Sequence, residues 1–123
     1  MLGHLSFGVS ELARSAEFYD RILGPLGYVR VWSNPRGVGF GEKGGGDKLA
    51  LFARSERVIA PGRGFHLAFT APSREAVDAF HAEALRAGGR DGGSPGPRPH
   101  YGATYYAAFV FDPDGYKLEA VHQ

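Results

Sequence analysis

From His4 to Val9 apolar and polar residues alternate, with Leu5, Phe7 and Val9 on one side and His4, Ser6 and Gly8 on the other. This is the period-two pattern of a strand buried on one face. The period then lengthens: Leu12, Ala16, Tyr19 and Leu23 recur at helical spacing, with Ser10 as the predicted N-cap and Gly24-Pro25 as the stop. Three short strands are predicted next, near Tyr28 to Ser33, Val38 to Gly41 and Lys48 to Ala53. They are punctuated by Asn34-Pro35-Arg36-Gly37 and Gly44-Gly45-Gly46-Asp47.

The same order then begins again. A strand from Phe65 to Thr70 leads into a helix that Ser73 caps, Gly88-Gly89 ends, and Val77, Phe80, Ala84 and Leu85 make apolar on one face. A short strand near Arg90 to Gly92 precedes a Gly/Pro-rich loop from Gly93 to Pro99. Two further strands, Tyr105 to Phe111 and Tyr116 to His122, flank the turn sequence Asp112-Pro113-Asp114-Gly115. Between the halves, Ser55 to Gly64 holds Pro61-Gly62 and two arginines, Arg57 and Arg63, with Arg54 at its border, so a surface connection is expected there.

The halves also echo each other residue by residue. His4-Leu5-Ser6-Phe7 returns as His66-Leu67-Ala68-Phe69, and the same offset of 62 positions relates Phe18 to Phe80, Leu23 to Leu85 and Gly27 to Gly89. Such a duplication can bring equivalent histidines together around a pseudo-two-fold axis, where function is then expected.

Composition narrows the classes. With 123 residues, 43% hydrophobic, the chain suits one domain built from both halves, module one spanning about 1–54 and module two about 65–123. The net charge of +1 arises from 14 basic and 13 acidic residues scattered along the sequence, so neither a nucleic acid nor a membrane is expected as partner. The lack of cysteine removes disulfides, thiolate metal sites and cysteine nucleophiles. With no signal-like or membrane-length apolar run, the cytoplasm is the default location. The Gly44-Gly45-Gly46-Asp47-Lys48 run lacks the spacing of a phosphate-binding loop, and no Gly-x-Ser-x-Gly elbow is present.

The paired βαβββ order, the opening His-Leu-Ser-Phe-Gly-Val-Ser-Glu-Leu-Ala-Arg-Ser-Ala-Glu-Phe-Tyr and the closing Phe-Asp-Pro-Asp-Gly-Tyr-Lys-Leu-Glu resemble the vicinal oxygen chelate superfamily. That group includes glyoxalase I, extradiol dioxygenases, fosfomycin-resistance thiol transferases and bleomycin-resistance proteins. The resemblance covers nearly the whole chain. It implies an α+β fold in which two βαβββ modules form a half-barrel cup, and it leaves the reaction open, because one fold hosts several chemistries.

The repeat itself nominates metal ligands. His4 and His66 each open a first strand on the face opposite the helix-packing residues, and Lys48-Leu49-Ala50-Leu51 aligns with Lys117-Leu118-Glu119-Ala120, setting Ala50 opposite Glu119. Of the four related positions, His4, His66 and Glu119 can ligate and Ala50 cannot. Two imidazoles and a carboxylate with open positions suit Fe(II), Mn(II), Zn(II), Ni(II) or Co(II). The set is similar to the His, His, Glu arrangement of the thiol transferases and extradiol dioxygenases, whereas glyoxalase I typically carries a fourth ligand where Ala50 stands.

Around this set, His100, Tyr101 and Tyr105 are candidates for proton transfer. Trp32, Phe40 and Tyr106 are candidates for an aromatic wall, and Arg98 for pairing with a substrate carboxylate or phosphonate. His81 and His122 are expected at the surface. The resulting expectation is a homodimeric metal-dependent enzyme acting on a small substrate with adjacent oxygen donors, by lyase or isomerase, addition or oxygenation chemistry. The alternative is a protein of the bleomycin-resistance type that sequesters a drug without catalysis.

Overall fold

Each half begins with a strand whose exposed face is polar, and the chain must cross over before it can lay a parallel partner beside that strand. The computed structural model describes residues 1–123 and shows how. The elements are β1 (Leu5–Val9), α1 (Leu12–Leu23), β2 (Val29–Asn34), β3 (Gly37–Gly41) and β4 (Leu49–Ala53), then β5 (Leu67–Thr70), α2 (Arg74–Arg86), β6 (Arg90–Pro97), β7 (Tyr106–Phe111) and β8 (Lys117–His122). A 3-10 turn, Gly24–Leu26, extends α1.

The halves form two four-stranded sheets of identical topology, β1-β4-β3-β2 and β5-β8-β7-β6. In each, the first and last strands of the half pair in parallel and the other neighbours are antiparallel. The register repeats as well. Ser6, Ala50 and Gly39 form one cross-strand row, and Ala68, Glu119 and Phe109 form its counterpart. The two sheets stand separately and do not close into a barrel.

Each helix covers one face of its own sheet, and the two helices pack on each other. A continuous core of 21 buried residues results, with Phe18, Tyr19 and Ile22 of α1 beside Val77, Phe80 and Ala84 of α2. Truncating a fully buried ring such as Phe80 to alanine costs about 3–5 kcal/mol at this kind of position. The faces carrying His4 and His66 therefore look away from the shared core, in contrast to a single cup built from both sheets of one chain.

The Asp112-Pro113-Asp114-Gly115 turn clasps the first half. Asp112 Oδ2 accepts from Tyr19 Oη at 2.7 Å, while its Oδ1 accepts from the backbone N–H of Asp114 and of Tyr116, both at 2.9 Å. Tyr116 Oη donates to the Gly8 carbonyl at 2.8 Å. Ser10, expected as the cap of α1, instead gives its N–H and hydroxyl to the Asp114 carboxylate, and Glu11 takes the cap position without a side-chain bond. Ser73 does cap α2, accepting from Ala76 N at 3.1 Å.

The expected loop from Gly93 to Pro99 is largely strand. β6 runs through Pro97, with register shifts between Asp91 and Gly93 and between Gly93 and Gly96. Prolines and glycines hid this strand because bulges tolerate both.

Candidate functional site

The outer face of the second sheet gathers the chemistry. His66 immediately precedes β5, β8 presents Glu119, and β7 places Phe109 directly beside Glu119. His66 Nε2 lies 3.0 Å from Glu119 Oε2. Tyr105, just before β7, donates its hydroxyl to Glu119 Oε1. The carboxylate is 1% exposed while the His66 side chain is 45% exposed, so a buried acid supports an imidazole at the surface. Burial, and then the bond to Glu119, push the Tyr105 phenol up to about 12.

This pair meets the spacing test for metal ligands. Two donors each about 2.1 Å from one ion, at an angle of about 90°, lie about 3.0 Å apart. Without an ion the same spacing serves as a hydrogen bond between imidazole and carboxylate. Within one chain no group of three histidine, cysteine or acidic side chains assembles that could hold a metal. His4 is exposed just before β1 on the other half, where the position equivalent to Glu119 is the apolar Ala50, paired with Ser6.

The expected axis passes elsewhere. Arg21 and Glu83 occupy equivalent positions of the two halves, and Arg21 Nε meets Glu83 Oε2 at 3.2 Å between α1 and α2. Residues related by a two-fold axis touch only near it, so the axis within the chain runs through the helix interface and leaves the two histidines at the starts of separate sheets.

The remaining candidates divide. His100 stacks at 4.1 Å on Tyr101, whose ring lies 5.3 Å from Tyr105, so the three lead outward from Glu119. Arg98 gives Nη1 to the carbonyls of Gly96 (2.9 Å) and Pro97 (3.4 Å) and Nη2 to that of Ser94 (2.9 Å), with its guanidinium 5.9 Å from the Phe109 ring. Trp32 lies on the outer face of the first sheet, 5.9 Å from Phe52, and its indole fills the space above Gly39.

Two expectations need correction. Phe40 alternates to the helix side, 2% exposed and 6.2 Å from Tyr19, because its neighbours Gly39 and Gly41 take the outer positions. Tyr106 also faces its helix: its hydroxyl donates to Asp78 of α2 at 2.7 Å and Arg74 covers its ring. His81 pairs with Asp91 at 2.8 Å, and His122 bonds the Ala71 carbonyl. The sequence reading missed Phe109 and Lys117, whose Nζ lies 5.0 Å from the Phe109 ring. Strict alternation from Glu119 along β8, and the register across to β7, were the signals for both.

A cavity of about 390 Å³ lies elsewhere, between the halves. Its lining includes His4, Leu5, Leu23, Tyr28, Phe40 and Leu67, with neither His66 nor Glu119. The imidazole, carboxylate and phenol converge on the open face of the second sheet, away from this mainly apolar hollow.

Known proteins share this architecture and sequence. A sequence profile described as Glyoxalase/Bleomycin resistance protein/Dioxygenase superfamily matches residues 1–120. The chain belongs to this superfamily. It is 32% identical over 130 residues to a lactoylglutathione lyase of Neisseria meningitidis serogroup A, covering 98% of this chain and 88% of that protein. A glyoxalase/bleomycin resistance protein from Albidiferax ferrireducens T118 superposes with a TM-score of 0.82 at 33% identity, covering 98% and 96% of the two chains. The fosfomycin resistance protein FosX from Mesorhizobium loti shares the fold, with a TM-score of 0.71 at 18% identity and coverage of 100% and 92%. No helix is long and apolar enough to cross a membrane.

Proposed function

We propose that this superfamily member is a metal-dependent enzyme whose site forms between two copies of the chain, with His66 and Glu119 from one copy and His4 from the other. The observation that carries the reading is the 3.0 Å approach of His66 Nε2 to Glu119 Oε2 on an outward-facing sheet. One chain brings only two donors together at this place, and His4 of a second copy would supply the third in an isologous assembly.

A divalent ion held there would polarise a small substrate bound through adjacent oxygen atoms. Ala50 adds no donor, which leaves positions for those oxygens. Tyr105 holds Glu119 in one orientation through its hydroxyl, and His100 and Tyr101 stand next along the aromatic series to exchange protons with substrate. Trp32 and Phe52 on the first sheet of the second copy would supply the apolar wall. Lyase or isomerase chemistry is the favoured reaction class, supported by the 32% identity to the lactoylglutathione lyase.

Metal analysis of protein purified without chelator tests the reading. One ion per chain, lost in His66→Ala and retained in His81→Ala, is expected. Equal metal content in both variants would exclude the assignment, and protein that takes up no ion when supplied with Zn(II), Mn(II), Ni(II), Co(II) or Fe(II) would favour a non-catalytic sequestering protein.

A further inference from the structure

We propose that the second-sheet face recognises a substrate carrying an acidic oxyanion, and that Arg98 and Lys117, both beside the Phe109 ring, are the residues that select it. The inference deepens the functional reading above, since it concerns the same face.

Of the 14 lysines and arginines, Arg14, Arg21, Arg30, Arg54 and Arg86 find carboxylates and nine do not. Among those nine, Arg98 and Lys117 converge on one ring, 5.9 and 5.0 Å from Phe109. Arg90, likewise without a carboxylate, lies 4.7 Å from the ring of Phe111, two residues along β7. The acid at the centre of this face, Glu119, is engaged by His66 and Tyr105.

Arg98 is also held in place. Three backbone carbonyls of the bulged β6 segment fix its guanidinium. The glycines of that segment leave it room: a Cβ at Gly93 would stand 3.4 Å from Arg98 Nη2 and 3.2 Å from Phe109 Cδ2, and one at Gly96 would stand 3.4 Å from Arg98 Nη1. A cation oriented before binding loses little side-chain freedom when an anion arrives, and a guanidinium suits planar or tetrahedral oxyanions. The carbonyls occupy part of its donor set, leaving Nε and the outward N–H for a ligand. Lys117 supplies a second charge beside the same ring.

The test uses the full chain, freed of metal by chelator and dialysed, with methylphosphonate as the probe and amide NMR shifts as the readout. Saturable shifts are expected at Gly93, Gly96, Phe109 and Lys117. Lys117→Met, which leaves β6 intact, should weaken binding about tenfold, and Arg98→Gln at least as much. Arg63→Gln, on the connecting segment, should leave binding unchanged. Equal affinity in Lys117→Met and the parent chain, or no saturable shift at these residues, overturns the proposal. Because the probe is read without metal, a chain that binds methylphosphonate but no metal keeps this inference and rejects the metal reading; a chain that binds metal but no anion does the reverse.

Discussion

Arg21 and Glu83 occupy the same place in the two halves of the repeat, and their side chains meet across the interface of α1 and α2. That contact puts the internal symmetry axis between the helices. The equivalent histidines are consequently turned outward on separate sheets, and the chain offers two different half-faces: one with His4, Ala50 and Trp32, the other with His66, Glu119 and Tyr105.

Glu119 is a carboxylate with 1% exposure, held between His66 and Tyr105. Burying a charge is costly, and because the His66 partner is 45% exposed, a neutral amide in place of Glu119 leaves no uncompensated charge buried. Glu119→Gln should therefore abolish metal uptake while changing unfolding free energy by no more than about 1 kcal/mol in the destabilising direction. Urea denaturation beside metal analysis checks this; a variant that loses metal only because it no longer folds would contradict it.

Tyr105→Phe removes the hydroxyl that orients Glu119 and leaves the ring in place. Metal affinity should drop about 10–100-fold, the usual scale for a partner of a ligand. A competition titration against a chromophoric chelator measures it, and unchanged affinity would show that Glu119 needs no such support.

Alkaline stability should report the Tyr19–Asp112 pair. Burial, followed by the nearby Asp112 charge, raises the Tyr19 phenol well above its ordinary value of 10.0. A group raised on folding contributes stability that is complete below its unfolded value and is lost as pH climbs from there towards the folded one. Stability should fall above pH 10 by up to about 1.4 kcal/mol per pH unit from this group, and the slope should be shallower in Tyr19→Phe. Asp112 is itself raised by burial against its hydrogen bonds, so its ionisation opposes folding and acidification does not weaken the clasp through this group. Thermal melts across alkaline pH test the slope.

Gly39 makes room for Trp32. A Cβ there would stand 2.1 Å from the indole Nε1, so Gly39→Ala must displace the ring, at a cost of about 1–3 kcal/mol. Trp32 is the sole tryptophan, so its fluorescence reads the change directly. An emission spectrum identical to that of the parent chain would contradict the placement of Trp32 on the outer face.

Much of this architecture was legible from periodicity, and the misses have physical causes. The alternation in His4 to Val9 and the type match of Ala50 with Glu119 read true because strand register keeps every second residue on one face. The repeat itself slips after α2: Gly27 has φ +92, but the second half puts positive φ at Gly88 and not at Gly89. Leu85, expected on the buried face, is exposed, since the helix turns Ala84 inward in its place. Phe40 and Tyr106 were misassigned because an aromatic residue looks alike in sequence whether it lines a site or a core. Direction of packing between the halves was beyond the pattern, because it depends on contacts such as Arg21 with Glu83 and Tyr19 with Asp112.

The central claim is that two copies share each site, and complementation tests it most directly. His4→Ala and His66→Ala should each fail to hold metal alone. Unfolded together in equal amounts and refolded, they should regain about a quarter of the parent metal content, because half of the dimers are mixed and each mixed dimer keeps one intact site. No recovery on mixing would contradict a site built from His4 of one copy and His66 with Glu119 of the other.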